Sequence, residues 1–538
     1  MAELRSSVLM LTAAGLPIVV VLTAMVWLRW SGTRAGLAGA GVAAAVGFTL
    51  FGATPSVLVV AGWKAVILSF DVLYIVWAAL ILYNIADEAG AIRSIGVGVA
   101  ALTEDHIMQL LILGFAFSSF LQGVAGFGVP VAVVAPLLVG LGFPPMQAAV
   151  VPLVGHAWSV TMGTLSSSFQ ALVTVTGYPG KVLGPWAAGF LGVACVLTGF
   201  AVAHVHAGFR PIRRCFGAIL VLSLSMAAVQ FGLVYFEYFL LASFVAGMVG
   251  LGVSLVGARL AQLVQGSYLG LFPNWPAPGG RQTPHREVCG ATTRATMGFH
   301  LAFSAYYAVI VIVVVATLVP ALSAALDILR VSVAFPRTVT RLGLVTHAST
   351  QSFSLLRHAG TYLLFAAIAA WGIYRTAGYF EPAGWRPAMR RTITQGVPTT
   401  LAVLLMVVMA MIMSYTGMTR LLAHGFIAVA GHAFPIVSPF IGLLGCFVTG
   451  SNTNANFLFG ALQRDVAILL RESPAITAAL QTTGASLGSM IAPAKVLIAC
   501  ATAGLQGREG EVMRVALKYC LPMTLLMGLL GWLANMTQ

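Results

Sequence analysis

Charge is what this chain has least of. Lys, Arg, Asp and Glu make up 8% of its 538 residues, against about 25% in soluble domains, which excludes a water-facing surface over most of the molecule. Acids are the scarcer sign, 14 against 28 bases, for a formal net charge of +14. A basic balance of that size suits nucleic acid only if the bases line one face or an aromatic-rich groove. Here they stand in short loops between apolar runs, so no nucleic-acid partner is expected. The six cysteines, Cys195, Cys215, Cys289, Cys446, Cys500 and Cys520, have no metal-ligand spacing and lie mostly in apolar runs, where they read as packing residues. There is no Walker-type phosphate loop, no His-Glu-x-x-His and no Cys-x-x-Cys. An ATP-driven pump is therefore not expected, nor a metal centre, a cofactor or a catalytic residue. An intramembrane enzyme would need a nucleophile with a placed base, and the scattered His and Ser residues define none.

What is present is apolar length. Hydrophobic residues reach 59% and mean hydropathy is +0.96. Runs able to meet the roughly 20-residue requirement of a membrane-spanning helix recur at 8–28, 35–62, 66–86, 107–121, 183–204, 216–234, 238–262, 298–326, 360–374, 396–418, 424–449, 474–505 and 513–534. The expectation is an all-α polytopic membrane protein with 12 to 14 transmembrane helices, some broken or re-entrant. The first run lacks a small-residue cleavage pattern and reads as a helix that is retained. Basic clusters at Arg29/Arg34, Arg210/Arg213/Arg214, Arg281/Arg286/Arg294 and Arg386/Arg390/Arg391 mark cytoplasmic loops under the positive-inside rule and place the N-terminus outside. Arg5 argues the other way.

The one long polar segment, 265–297, is rich in Gly, Pro, Arg and His and divides an N-terminal membrane half, 1–264, from a C-terminal half, 298–538. The halves share a pattern at a spacing of 329–330 residues. Phe117 and Phe127 match Phe447 and Phe457; Pro145, Ala149 and Gly155 match Pro474, Ala478 and Gly484. The repeat cores are read as 106–205 and 435–505. Each carries a polar stretch inside hydrophobic sequence: Ser118 to Pro130 and Gly155 to Ser159 in the first, Thr449 to Asn456 and Thr482 to Ser486 in the second. Amides and hydroxyls at that depth cost roughly 2–7 kcal/mol each without a partner, so such clusters are satisfied by protein, water or solute.

Paired Gly- or Pro-interrupted segments are how transporters bring half-helix ends together near the midplane. A half-helix N-terminus offers free N–H groups and partial positive charge, which suit a carboxylate. Candidate substrate ligands are therefore Ser118, Ser119, Gln122, Ser451, Asn452, Thr453, Asn454 and Thr483, with Gly123, Gly126, Gly128 and Gly484 allowing close backbone approach. Close helix packing is the alternative reading of the glycines. Asp71 is the one carboxylate well inside an apolar run and a candidate for proton coupling, against an interfacial Asp after Lys64. His156 is a second titratable candidate, for coupling or substrate binding, against a structural histidine. Lys495, after Pro493, can neutralise a carboxylate or snorkel from a helix end. Arg330, Arg337 and Arg341 fit a loop.

Several blocks resemble the L-lactate permease family. Ser119 through Val133 is similar to a family block that usually carries glutamate where Gln122 stands, and Leu137 to Phe143 continues it. His432-Ala433-Phe434, Ser438-Pro439-Phe440 and Thr449 to Thr453 resemble a second block, commonly with aspartate in place of Asn452; Met490 to Pro493 and Ile498 to Ala501 follow in register. The resemblance spans most of the chain, strongest at 106–165 and 390–530. It implies a secondary transporter in the plasma membrane, the bacterial inner membrane, carrying small 2-hydroxy monocarboxylates such as L-lactate and glycolate together with protons, and through the broader ion-transporter superfamily it implies inverted repeats. With Gln122, Asn452 and Ser489 standing where the family commonly has glutamate, aspartate and lysine, three ionisable groups are missing. An amide bonds but does not titrate, so the proton sits elsewhere or the ion or substrate differs. The Ser-Asn-Thr stretch keeps a sodium-coupled or other carboxylate carrier open, and an anion channel is the reading from another class.

Overall fold

A backbone in hydrocarbon must satisfy its own N–H and C=O groups, and this chain does so almost wholly by helix. The computed structural model describes residues 2–537 apart from 29, 101, 102, 104, 127 and 264–296. The expected connecting segment lies outside the described residues except for Met297, as do Arg29, Arg281, Arg286, Arg294, Cys289 and Phe127. Among the described residues ten helices are long and apolar enough to cross a membrane, or up to twelve if each bent pair is one span. The upper figure meets the low end of the expected 12 to 14, and bent and hairpin helices are where the counts differ, because apolar length does not separate a crossing from an arm that turns back. The small exception to helix is two nested strand pairs outside the spans, Arg330–Phe335 antiparallel to Ser349–Ser354 and Thr338–Val339 antiparallel to Val345–Thr346. They are seated by the Arg341 amide on the Gly52 carbonyl (2.7 Å) and Lys64 Nζ on Ser349 Oγ (3.0 Å).

Five helices form one packed group: Ala2–Val26, Gly32–Thr49, Pro55–Glu88, Ala359–Thr376 and Trp385–Thr416. Small residues set their spacing. A Cβ on Gly39 would stand 2.4 Å from Val21 and 2.6 Å from Met409, so all three chains meet there. Trp77 Nε1 donates to Thr400 Oγ1 across the same group (2.8 Å).

The rest of the centre is built from two hairpins and two broken spans. The first hairpin has arms His106–Val124 and Val129–Gly140; the rings of His106 and Phe143 lie 5.2 Å apart at its open end. Its first arm loosens to a π-helix over Leu110–Phe117, where Ser118 Oγ takes up the Leu113 carbonyl (3.1 Å). The chain then turns at Gly128 (φ 85°), a conformation that glycine adopts without Cβ strain. The first broken span follows, Pro145–Gly155 and Gly163–Thr176. The second hairpin, Phe434–Thr449 and Asn452–Leu470, turns at Gly450 (φ 70°), and its open end is held by His432 and Glu472 at 3.1 Å. The second broken span is Pro474–Gly488 and Pro493–Ala503.

The two hairpins open at opposite ends of the helix Glu509–Met536. His204, two residues before the His206 that faces Phe143, meets Tyr519 in the first half of that helix (2.8 Å). Asn535, in its last turn, accepts from the Ser473 amide beside Glu472 (3.0 Å). Both hairpins therefore carry their turns toward the middle of the molecule, with the breaks of both spans beside them.

Packing at the two places has the same form. Pro145 and Pro474 each begin a helix, and a Cβ on Gly155 would meet the Gly114 carbonyl at 2.0 Å while one on Gly484 would meet the Pro439 carbonyl at 1.8 Å. In each case the broken span lies directly on the backbone of its hairpin's first arm.

Candidate functional site

The first broken span is bent more sharply than proline or glycine alone requires. Thr164, Leu165 and Ser166 are left-handed in succession (φ 48°, 52° and 63°), each a conformation that costs a non-glycine residue of order 1–3 kcal/mol. Fixed hydrogen bonds hold the turn. Thr164 Oγ1 accepts from the Gly126 amide at the first hairpin's tip (3.0 Å), Ser166 Oγ donates to the Phe239 carbonyl, and the Phe169 amide closes back on the Thr161 carbonyl (3.1 Å).

Across from it, Gly450 and Ser451 break the second hairpin, and Ser451 caps the helix that follows by accepting from the Asn454 amide (3.4 Å). That helix's first turn is tied to the first span. Asn452 Nδ2 donates to Thr161 Oγ1 (3.0 Å), which donates to the Thr482 carbonyl (3.0 Å). Asn456 Nδ2 reaches both the Ser168 carbonyl (2.8 Å) and Thr482 Oγ1 (2.9 Å), and Ser168 Oγ pairs with Thr453 Oγ1 (2.9 Å). Ser486 Oγ donates to the Ala157 carbonyl (2.7 Å) and accepts from the Thr161 amide (3.2 Å). Residues some 300 positions apart in sequence thus share one buried polar network, which a low-dielectric interior makes rigid when satisfied.

Several groups in this region have no partner among the described residues: Gln122 Oε1, Asn454 Oδ1, Asn456 Oδ1 and Ser489 Oγ are buried and unbonded. Lys495 lies here too. It is 6% exposed, its Nζ is 3.2 Å from His156 Nε2, and no ion pair among the described residues includes it. His156 Nδ1 bonds the Pro152 carbonyl. A carbonyl only accepts, so Nδ1 carries the hydrogen and Nε2 accepts from Lys495. A cavity of about 570 Å³ reaches these breaks, lined by Thr449, Gly450, Pro493 and Ala494 on one wall and by Trp30 and Glu509 on the other.

The sequence candidates divide by position. His156, Lys495, Gln122, Gly126, Gly128, Ser451, Asn452, Thr453 and Asn454 gather at the breaks. Ser119 lies behind them, accepting from Trp158 Nε1 (2.9 Å), and Ser118 closes the π-helix. Thr483 Oγ1 donates to the Ala479 carbonyl of its own helix (2.8 Å). Gly123 would place a Cβ 2.4 Å from the Phe244 backbone, and Gly484 is filled by Pro439, so both face neighbouring helices. Asn456, Thr482 and Ser486 stand in the polar stretches read from sequence but not among the named ligands, and neither do Thr161, Thr164 and Ser168, which complete the network. The signal for Thr161, Thr164 and Ser168 is five hydroxyl residues within Thr161–Ser168.

Asp71 is not at the breaks. Its carboxylate accepts from Gln170 Nε2 (2.8 Å) and Thr174 Oγ1 (3.4 Å), about one and two turns beyond the left-handed turn, and pairs with His358 Nε2 (3.0 Å). The Gly360 amide donates to His358 Nδ1 (3.1 Å), so Nε2 carries the hydrogen and donates to Asp71. The result is a closed tie between Pro55–Glu88, the first broken span and the start of Ala359–Thr376.

Gly484-Ala485-Ser486-Leu487-Gly488 has the Gly-x-Ser-x-Gly spacing of a nucleophile elbow. It runs inside a continuous helix, not a strand-to-helix turn, and Ser486 donates its hydrogen to a backbone carbonyl.

The family model described as L-lactate permease matches residues 10–536. The L-lactate permease of Bacillus subtilis is 28% identical over 97% of this chain and 95% of its own. The glycolate permease GlcA of Escherichia coli is 29% identical, covering 87% and 85%. Among solved structures, the Alcanivorax borkumensis YdaH transporter aligns over 86% of this chain and 85% of its own, at 16% identity and a TM-score of 0.42.

Proposed function

This chain belongs to the L-lactate permease family, and we propose that it is a secondary active transporter moving small 2-hydroxy monocarboxylates, L-lactate and glycolate among them, with a proton. It is a multi-pass protein of the plasma membrane. The observation that carries the reading is Lys495, a basic side chain shut into the centre beside the half-helix ends with a neutral imidazole as its hydrogen-bond partner. Burying an ammonium is tolerable only with an anion or full hydrogen bonding. A carboxylate entering by the Thr449–Pro493 cavity supplies that anion and meets free N–H groups at the start of Asn452–Leu470 and Pro493–Ala503. The unbonded oxygens of Gln122 and Ser489 are acceptors suited to a 2-hydroxyl donor.

The two hairpin-and-span units are read as inverted repeats, with the five-helix group as the frame against which they move. The first hairpin opens toward the face bearing Arg210, Arg213, Arg386, Arg390 and Arg391, which the positive-inside rule assigns to the cytoplasm. No covalent step is assigned to the site.

The test is uptake of labelled L-lactate into proteoliposomes under an inward proton gradient, an inward sodium gradient or neither. Accumulation driven by protons alone supports the proposal. A sodium-coupled carrier is the second reading, favoured by the unbonded amide oxygens of Asn454 and Asn456, hard ligands of the kind sodium takes; sodium-only accumulation would establish it. Flux that equilibrates but never accumulates would mean a channel and sink both.

A further inference from the structure

Resting on the transport reading above, we propose that Lys495 itself carries the coupled proton, so that proton and carboxylate occupy one place and cross as a neutral pair. Across the segments that meet at the centre, 118–128, 155–166, 449–457 and 482–495, the ionisable side chains are His156 and Lys495. His156 is committed on both nitrogens: Nδ1–H to the Pro152 carbonyl and Nε2 to Lys495. Protonating Nε2 while Nζ is an ammonium would set two cations 3.2 Å apart in a buried place, and with Nζ an amine the single proton of the pair rests on the more basic nitrogen, Nζ. The other titratable group facing Lys495 is Cys446 on the second hairpin's first arm. Asp71 is engaged by three donors away from the breaks.

Glu509, across the entry cavity, accepts from the Gly507 amide (3.0 Å) at the start of its own helix. Of the groups at the breaks, Nζ is therefore the one that gains a proton where the carboxylate binds. With substrate present, Lys495 is an ammonium paired to the carboxylate, and the site is neutral. When the anion leaves, an N–H bond of the ammonium breaks, the proton passes to water, and the electron pair stays on Nζ. The amine still donates to His156 Nε2, which positions it for the return. Neither form leaves an unpaired charge inside, and neither a proton nor an anion can cross alone. His156 is in this scheme a positioning residue.

The scheme has an electrical signature. In wild type each cycle moves no net charge. Arginine keeps its proton in any protein environment, so Lys495→Arg should hold the substrate but never release the proton. In proteoliposomes of the full chain, wild type should accumulate L-lactate about tenfold per unit of inward pH gradient, as one-to-one coupling requires. Lys495→Arg should keep lactate counterflow, lose accumulation driven by the pH gradient, and gain accumulation driven by an inside-positive potential. Asp71→Asn should keep accumulation driven by the pH gradient. Retention of that drive in Lys495→Arg, or its loss in Asp71→Asn with counterflow intact, would overturn the assignment. Should wild type itself fail to accumulate lactate on a pH gradient, the symport reading falls first and this one with it.

A second measurement does not depend on the arginine variant folding. Adding L-lactate to purified wild type in weakly buffered solution with an indicator dye should take up about one proton per lactate bound where the empty site holds the amine. Proton uptake retained in both Asp71→Asn and His156→Gln supports Lys495. No uptake by wild type anywhere between about pH 6 and 9, or its loss in Asp71→Asn with lactate still bound, would overturn the proposal.

Discussion

At the scale of single residues the centre of this molecule is held by groups whose partners come from the opposite half of the chain. Asn456 is the clearest case, its amide shared between the Ser168 carbonyl and Thr482 Oγ1. Asn456→Ala leaves that carbonyl without its donor, a loss of about 1–3 kcal/mol, which should appear as a lower thermal midpoint in detergent; an unchanged midpoint would mean the network adds nothing. Lys495→Met removes the only cation at the breaks. Truncating one member of a buried charge pair costs about 2–5 kcal/mol, so lactate affinity should fall at least roughly 30-fold by equilibrium binding. These two residues were legible to different degrees. Lys495 and His156 stand out in sequence as ionisable groups in apolar surroundings, but nothing in the sequence says that they touch, because 339 residues separate them. Gly123 and Gly484 mislead for a similar reason: a glycine needed for close approach looks the same whether a ligand or a helix is the neighbour.

At the scale of elements, each broken span lies on its hairpin so closely that a side chain does not fit. Gly484→Val would drive a Cβ to 1.8 Å from the Pro439 carbonyl, and overpacking of about 1–3 kcal/mol or more should collapse the yield of folded protein in fluorescence size-exclusion. The tie at Asp71 joins three elements, so Asp71→Asn and His358→Gln should each lower the thermal midpoint and together lower it by less than their sum. At the mouth of the second hairpin, burial pushes the Glu472 carboxyl above its usual value and His432 pulls it back only partly. A carboxyl whose folded value is raised contributes stability below its unfolded value and loses it as pH rises through the folded one. Wild type should therefore lose stability on going from acid toward neutral pH at this end, and Glu472→Gln should flatten that slope in melts taken across the range. An identical slope in the variant would assign it to another group. The strand pair Arg330–Phe335 and Ser349–Ser354 was not foreseen. In an apolar chain, short alternating runs beside a long apolar stretch carry too weak a period-2 signal to stand out.

At the scale of the whole molecule, the hairpins open at opposite ends of Glu509–Met536, and the cluster Arg386, Arg390 and Arg391 lies with Arg210 and Arg213 at the first hairpin's face. With that face cytoplasmic, Arg386→Cys should react with a membrane-impermeant maleimide only from the cytoplasmic side and Lys181→Cys, at the far end of Gly180–Ala207, only from outside. Labelling of the two from the same side would break this topology. Both variants are made in a Cys289→Ser parent, and background from the other five cysteines, Cys195, Cys215, Cys446, Cys500 and Cys520, is low because all five are buried.

The sequence by itself determined the solvent, the helical class and most of the places where helices break; Thr482 to Ser486 runs on as helix, and that span breaks just after it, between Gly488 and Pro493. Solvent, class and breaks follow from composition and local chemistry: too few charges to face water, apolar runs long enough to cross, and glycine, proline and amide clusters that interrupt them. The family was also legible, through blocks of contiguous residues. Tertiary structure alone decided which breaks meet and which polar atoms they leave unbonded. It also decided that Asp71 is tied to His358 while Lys495 stands beside a neutral histidine. Contacts between residues hundreds of positions apart depend on how helices pack, and packing is set by the sum of many small fits that no local pattern records.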